Sequence, residues 1–263
     1  MKIVQIGTGG WGKNHCRVLS ELGVLSAVCD KDLHLAEEFG KKYSVNFYNS
    51  LETLLEKEEF DAAFICTPTI THADIATKLI ESKKHVFVEK PLTYLSEDGQ
   101  KLVDMANKNN VVLTCGYIER FNPAVSTVKD FLTSKKYGDL IRLEFYREHR
   151  MPQHIKDVGI IYDTAVHDID TAMWLFGKTP EVVFAIAGKI NHEHEDFATI
   201  MLGFKDNKTA TISSNWITPT RVRNFNAVCT DGRIFSDFIT QEIRIETDHG
   251  TENPKNEKTE PLL

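Results

Sequence analysis

Five short apolar segments in the first half of the chain, KIVQIG, SAVCD, VNFY, DAAFICTP and HVFVEK, each lead into a stretch with helical periodicity; a sixth, VVLTCGY, closes the series. Strands that alternate with helices pair in parallel, because each helix carries the chain back to the same edge of the sheet. Their near-continuous apolar character says that both sheet faces are covered. The pattern therefore predicts an α/β fold with a doubly wound parallel sheet over residues 1–118.

The pattern changes after Tyr117. Asn122-Pro123 reads as a helix start, with Asn as N-cap and Pro in the first turn. A long strand, DLIRLEFYREH, follows, then one helix from about Asp163 to Phe176 that stops at Gly177. Thereafter strands dominate, separated by turn signals such as KDNK and TDGR. Residues 119–263 are thus expected to form an α+β domain with a mostly antiparallel sheet and helices on one side. In EVVFAIA and FATIMLGF both alternation phases are apolar, so both faces of this sheet should be covered. Helices can cover one. The other predicts a homo-oligomer, dimer or tetramer, built through the sheet. The end of the chain, DHGTENPKNEKTEPLL, is polar and reads as loose.

A net charge of −7 with no basic stripe argues against a nucleic-acid partner. No apolar run approaches the ~20 residues of a membrane span, and the chain opens directly on a strand rather than on a signal peptide. The five cysteines, Cys16, Cys29, Cys66, Cys115 and Cys229, are scattered and show no C-x-x-C spacing. They point to a reducing cytoplasm and to no structural zinc.

Chemistry concentrates at a few positions. Gly7-Thr8-Gly9-Gly10-Trp11-Gly12 fits G-x-G-x-x-G, directly after a strand and opening a helix. Glycines there permit a tight turn and close backbone approach to a pyrophosphate, and the helix N-terminus offers free N–H groups. Gly7, Gly9, Trp11 and Gly12 are therefore candidate cofactor residues of a Rossmann-type domain. Asp30 ends the second strand, about 20 residues past the glycines, where a carboxylate accepts from the ribose 2′-hydroxyl of NAD and repels the 2′-phosphate of NADP. NAD is the expected cofactor, NADP the less favoured one. Thr67, Pro68 and His72 follow the fourth strand at the same sheet edge and are candidates for cofactor contact; for His72, capping or packing the next helix explains the residue equally well. HVFVEK delivers Glu89 and Lys90 to that edge too, and Pro91 then forbids further pairing through its own nitrogen. Glu89 is assigned to the cofactor and Lys90 to proton relay, although a Glu–Lys pair in a solvated loop has the same spacing.

In DVGIIYDTAVHDIDTAMWLFG, Asp163, His167 and Asp170 fall at i, i+4 and i+7, on one helical face. A solvated polar face is the plain reading. Two aspartates and a histidine could also bind a metal, but hydride transfer from an alcohol requires none, and none is expected. HEHED at 192–196 reads as a charged hairpin loop.

Taken together, GTGGWG, CTPTITH, VEKPL and DVGIIYDTAVHDID, in this order and spacing, resemble the Gfo/Idh/MocA family of sugar and cyclitol oxidoreductases over nearly the whole chain. GYIERFNPAV, IKDVGIIYDTAVHDID and SNWITPTRVR resemble more narrowly the branch that oxidises nucleotide-linked N-acetylhexosamines. The resemblance implies NAD-dependent hydride transfer from a sugar hydroxyl, C3 of a UDP-N-acetylhexosamine, with Lys90 beside the reacting carbon and a cis Lys90–Pro91 bond. It implies that His167 is the acid/base histidine and Asp163 its acidic companion, and that Arg120, Asn122, Trp216 and Arg221 face the substrate. An inositol, polyol or free-sugar dehydrogenase, or an NAD-binding sensor without catalysis, are the alternatives. Family members usually continue with a helix that packs back on the first domain, whereas this chain ends at EKTEPLL. That contact is expected to be missing or supplied by a partner.

Overall fold

The computed structural model describes residues 1–152, 155 and 158–254. Lys156 and Asp157, and the tail from residue 255 with the expectation attached to it, lie outside the described residues. The chain divides into two compact units, one over Met1–Gly116 and one from Tyr117 onward.

The first unit is built on six parallel strands: β1 (Ile3–Ile6), β2 (Leu25–Cys29), β3 (Asn46–Tyr48), β4 (Ala62–Ile65), β5 (His85–Val88) and β6 (Leu113–Cys115). Their order is β3-β2-β1-β4-β5-β6, and every neighbouring pair is parallel. Between them run α1 (Gly12–Glu21), α2 (Leu33–Tyr43), α3 (Leu51–Lys57), α4 (His72–Glu81) and α5 (Ser96–Asn109). The apolar strand residues supply the core: Val4, Ile6, Ala27, Ala63, Ile65, Val86 and Val88 pack with Leu54, Leu79 and Leu102 from the helices. Local signals fix the helix starts. Asp32 caps α2 by accepting from the His34 N–H, and Ser50 caps α3 by accepting from the Thr53 N–H. The order reverses between β1 and β4, and in such a sheet ligands bind in the crevice outside the strand C-termini at that point.

The second unit holds α6 (Pro123–Thr133), α7 (Val166–Phe176) and the strands β7 (Leu140–Glu148), β8 (Val182–Gly188), β9 (Phe197–Phe204), β10 (Lys208–Asn215), β11 (Val222–Cys229), β12 (Gly232–Asp237), β13 (Ile243–Thr247) and β14 (Gly250–Glu252). The eight strands form one sheet in the order β14-β13-β12-β11-β7-β10-β9-β8. Only the β7–β10 pair is parallel. One face carries Leu143, Phe145, Ile200, Leu202, Ile212, Phe225 and Ile234 into a core shared with α6 and α7. Lys129 on α6 donates to the Trp174 and Leu175 carbonyls, which ties the C-terminal end of α7 to its neighbour. No helix among the described residues is long and apolar enough to cross a membrane.

The other sheet face differs from the expectation of an apolar cover. Arg142, Glu144, Tyr146, Thr211, Ser213, Asn224, Asn226 and Arg233 alternate with the core residues and make it polar over most of its width. Its exposed apolar cluster lies at the β8 edge, where Val182, Phe184 and Ile186 are exposed and Phe184 pairs with exposed Met201. Val183, on the opposite side of β8, is exposed as well.

The expected single helix over 163–176 is two structures. Residues Ile161–Ala165 form a π-helical turn, and α7 begins only at Val166. The wider turn inserts a residue and shifts Asp163 out of the face counted at i, i+4, i+7. Nor is that face solvated, for Asp170 is buried and His167 half-buried; Asp168, off that face, is buried too. Asp168, 0% exposed, takes two nitrogens of Arg147 at 2.8–3.1 Å, and Arg147 also donates to Glu119 at 3.0 Å. The Phe238 ring closes over the guanidinium at 4.8 Å. Burial opposes charge on both partners. The two carboxylates more than offset it for Arg147, which is held above its ordinary range. Burial raises Asp168 above the ordinary carboxylate range, with Arg147 pulling the other way.

Removing one partner of such a pair leaves a buried charge uncompensated. Asp168→Asn should destabilise the second unit by about 3–5 kcal/mol. The double variant Arg147→Met/Asp168→Leu should lose much less than the sum of its singles. Urea unfolding followed by fluorescence, with Trp174 and Trp216 both in this unit, reads the difference; additive losses would contradict the account.

Candidate functional site

In the first unit, the loop after β1 is shaped by contacts that leave no room for side chains. Gly7 has φ +82°, and a Cβ there would lie 2.2 Å from the Cys66 carbonyl oxygen. A Cβ on Gly12 would lie 2.0 Å from the Gly7 carbonyl oxygen. Gln5, fully buried, donates to the Gly7 carbonyl at 2.8 Å and holds the turn from below. Gly9 is different. The nearest atom to a Cβ there would be Leu35 Cδ1 at 3.9 Å, so space opens in front of the backbone. Trp11 is exposed and leads into α1, a helix of 10 residues that starts directly at the turn.

Asp30 closes the cradle and carries more than the sequence implies. Its Oδ2 accepts from the Thr8 N–H at 2.8 Å and from the Thr8 hydroxyl at 3.0 Å, and Oδ1 accepts from the Asp32 N–H at 3.0 Å. A carboxylate has about four acceptor positions. Two of the three hydrogen bonds anchor the glycine loop, and together they leave capacity for a ribose hydroxyl. Open backbone at Gly9, a helix N-terminus and a carboxylate at the strand end fit a dinucleotide.

At the next strand ends, the Thr67 and Thr71 hydroxyls bond each other at 2.7 Å, and Thr71 donates to the Pro68 carbonyl. Of the two readings of His72, the structure favours a role in the fold. The residue is buried, with Nδ1 2.9 Å from the Pro91 carbonyl oxygen and Nε2 2.9 Å from the Thr67 carbonyl oxygen. Both ring nitrogens are engaged by backbone, so His72 clasps the β4 and β5 loops together instead of contacting a cofactor. Glu89, assigned to the cofactor from the sequence, is engaged within the fold. It is buried under Lys90, with Oε1 2.7 Å from His15 Nε2 and Oε2 accepting from the Lys90 N–H at 3.1 Å. A Cβ on Gly116 would lie 3.0 Å from the same carboxylate, a tight contact that packs the backbone there closely against Glu89. Glu89 therefore positions Lys90. His15 rests edge-on against the stacked rings of Phe64 and Phe87. The Lys90–Pro91 bond is cis, as the resemblance implies.

In the second unit, His167 lies in the first turn of α7 and is half-buried; its carbonyl accepts from the Thr171 hydroxyl. Asp163, in the π-helical turn, accepts from the Thr164 hydroxyl at 3.1 Å. Arg120 stacks over Tyr117 and forms a two-pronged pair with Asp170, its Nε donating at 2.8 Å. Asn122 is the N-cap of α6, as expected, accepting from Ala124 N–H and donating to the Phe238 carbonyl. With a further bond from its amide nitrogen to Glu119 at 3.3 Å, these engage its amide within the fold. Trp216 is buried in the core, edge-on to His192, and does not line an open face. Arg221 is exposed. The HEHED segment is a loop in which buried Asp196 accepts from the Ile190 and Asn191 backbones.

A model of the Gfo/Idh/MocA oxidoreductase family, described as an NAD-binding Rossmann fold, matches residues 1–117, and the model of that family's C-terminal domain matches residues 125–235. UDP-N-acetylglucosamine 3-dehydrogenase of Acidithiobacillus ferrooxidans is 26% identical over 93% of this chain and 76% of its own. Its solved structure superposes with a TM-score of 0.90, covering 100% of this chain and 85% of that one. Myo-inositol 2-dehydrogenase of Thermotoga maritima is 27% identical over 94% of this chain and 78% of its own length.

The geometry around Asp30 predicts cofactor preference. NAD should bind more tightly than NADP. Asp30→Ala should weaken NAD about 10-fold, roughly 1.4 kcal/mol, and narrow the gap to NADP. Fluorescence titration with both cofactors checks this; equal dissociation constants in the unmutated protein would contradict it.

Proposed function

The chain belongs to the Gfo/Idh/MocA oxidoreductases, and from that premise we propose that it oxidises a sugar hydroxyl, C3 of a UDP-N-acetylhexosamine, with NAD as acceptor. The observation that carries the reading is the presentation of Lys90 at the C-terminal end of β5, with its backbone held by a buried carboxylate. This is the strand edge at which a dinucleotide-binding sheet takes its ligands. NAD, held by the Gly7–Gly12 loop and Asp30, would supply the hydride acceptor.

The chain's own residues must then deal with the proton. Oxidising an alcohol to a ketone releases one hydride and one proton. The hydroxyl proton goes to the His167 imidazole or the Lys90 amine, acting as general base, and returns through the same group in the reverse reaction. Asp163 orients or polarises His167. Arg120, already oriented by Asp170, and exposed Arg221 are the proposed substrate-facing cations. Inositol dehydrogenation is the second reading, supported by relatives of that name at similar identity. A sensor without catalysis has no use for Lys90, Asp163 and His167 together.

We further propose a reducing, cytoplasmic setting. It is supported by the free cysteines, of which Cys16, Cys29 and Cys229 are buried. A homo-oligomer built on the exposed apolar β8 edge is the proposed assembly.

Screening NAD reduction against UDP-N-acetylglucosamine, free N-acetylglucosamine and myo-inositol should select the first; activity on myo-inositol alone would replace this reading by the second. Lys90→Met and His167→Asn should each lower turnover roughly 100-fold or more with little change in NAD affinity. If both serve one proton relay, the double variant should be far less impaired than the product of the singles. A Lys90→Met enzyme with normal turnover would sink the assignment. Light scattering at micromolar concentration should show an oligomer, and a monomer would exclude the assembly.

A further inference from the structure

The paired strands β7 and β11 concentrate positive charge on the core-facing side of the second unit. Arg223 lies opposite Arg147 in the antiparallel register, and His149 and Arg221 continue the two strands beyond the Glu148–Val222 pair. Arg147 is compensated by Asp168 and Glu119. Arg223 is not. It is half-buried, and its buried Nε has no hydrogen-bond partner among the described residues. A guanidinium has five donors in a rigid fork, and leaving a desolvated one unmatched is costly. Burial, with Arg147 and Arg221 nearby, pushes Arg223 down to about 10. The carboxylates that face it, Glu119 and Asp168, are those already taken by Arg147.

His149 borders the same corner but adds no charge. Burial lowers its proton affinity, and Arg223 and Arg221 act in the same direction, against Asp163 nearby. Its Nδ1 lies 2.7 Å from the Arg150 carbonyl oxygen, which can only accept, so Nδ1 carries the proton and Nε2 is left as an acceptor. The corner thus offers two guanidiniums that form no ion pair among the described residues, one neutral acceptor suited to a hydroxyl, and Asp163 of the proposed catalytic pair close by.

We infer that Arg223 and Arg221 form the subsite for the diphosphate of a nucleotide-linked sugar. The inference rests on the dehydrogenase reading above and deepens it by assigning the residues that separate a sugar nucleotide from a neutral cyclitol. Two cations match the two charges of a diphosphate diester. Arginine forks match phosphate oxygens in pairs. A neutral inositol would leave Arg223 unmatched.

The test is calorimetric titration of UDP into the protein saturated with NAD, so that the first unit's own diphosphate cradle is filled. UDP should bind the unmutated protein. Arg223→Met and Arg221→Gln should each weaken it roughly 10- to 100-fold, the scale of losing charge-assisted hydrogen bonds. Arg223→Lys should recover part of the loss, and NAD affinity and melting temperature should stay unchanged. If Arg223→Met does not fold, the exposed Arg221→Gln variant decides. UDP affinity within twofold of wild type in folded variants overturns the inference. So does glucuronate binding as tightly as UDP, which would make the anion a carboxylate. Failure is separable from that of the underlying reading. A protein that binds UDP through Arg223 but reduces no NAD with any sugar defeats only the dehydrogenase assignment. One that turns over UDP-N-acetylglucosamine with a KM indifferent to Arg223→Met defeats only this subsite.

Discussion

Two carbonyl oxygens stand 2.2 and 2.0 Å from where a Cβ on Gly7 or Gly12 would lie. Those contacts force the backbone between β1 and α1 to turn with no side chain at either point, and the turn exposes the Gly9 backbone and the α1 N-terminus on one side. Asp30 is fixed by the Thr8 N–H and hydroxyl on that turn, so the residue proposed to read the cofactor ribose and the loop proposed to take the pyrophosphate are one object. Cofactor choice and loop geometry are coupled for the same reason. A substitution at Asp30 acts on both.

The remaining charges of functional interest are positioned by burial. Glu89 is held by His15 at 2.7 Å and accepts from the Lys90 N–H, so the Lys90 backbone is fixed at the end of β5. Arg147 pins Asp168 on α7, next in sequence to His167. In each unit a buried ion or hydrogen-bonded pair lies directly beside a residue assigned to proton transfer. Low local dielectric makes such pairs costly to break and therefore good at holding geometry.

Much of this was legible in the sequence where it is local. The six strands, the glycine turn and the Asn122-Pro123 helix start follow from neighbours a few residues apart. Asp30 was legible as well, because its place at a strand end is set by spacing. The π-helical turn at Ile161–Ala165 was not, since periodicity assumes a constant number of residues per turn and cannot register one that is inserted. The buried polar pairs were not legible either. His15 and Glu89 are 74 positions apart, and Arg147 and Asp168 are 21 apart on different elements. A charge that will be buried against a distant partner looks, in a helical pattern, like one that faces water. His72, Asn122 and Trp216 carry the converse lesson. A place at the strand edge suggested His72, and family-like position Asn122 and Trp216, while their bonding capacity or burial is engaged by the fold.

The central claim is that hydride leaves C3 of a nucleotide-linked N-acetylhexosamine and reaches NAD in this chain. Incubating the protein with NAD and UDP-N-acetylglucosamine carrying deuterium at C3, then weighing the reduced cofactor by mass spectrometry, tests it directly. The account predicts NADH that has gained the deuterium and is one mass unit heavier. Reduced cofactor without the label, or no reduced cofactor at all, would contradict it.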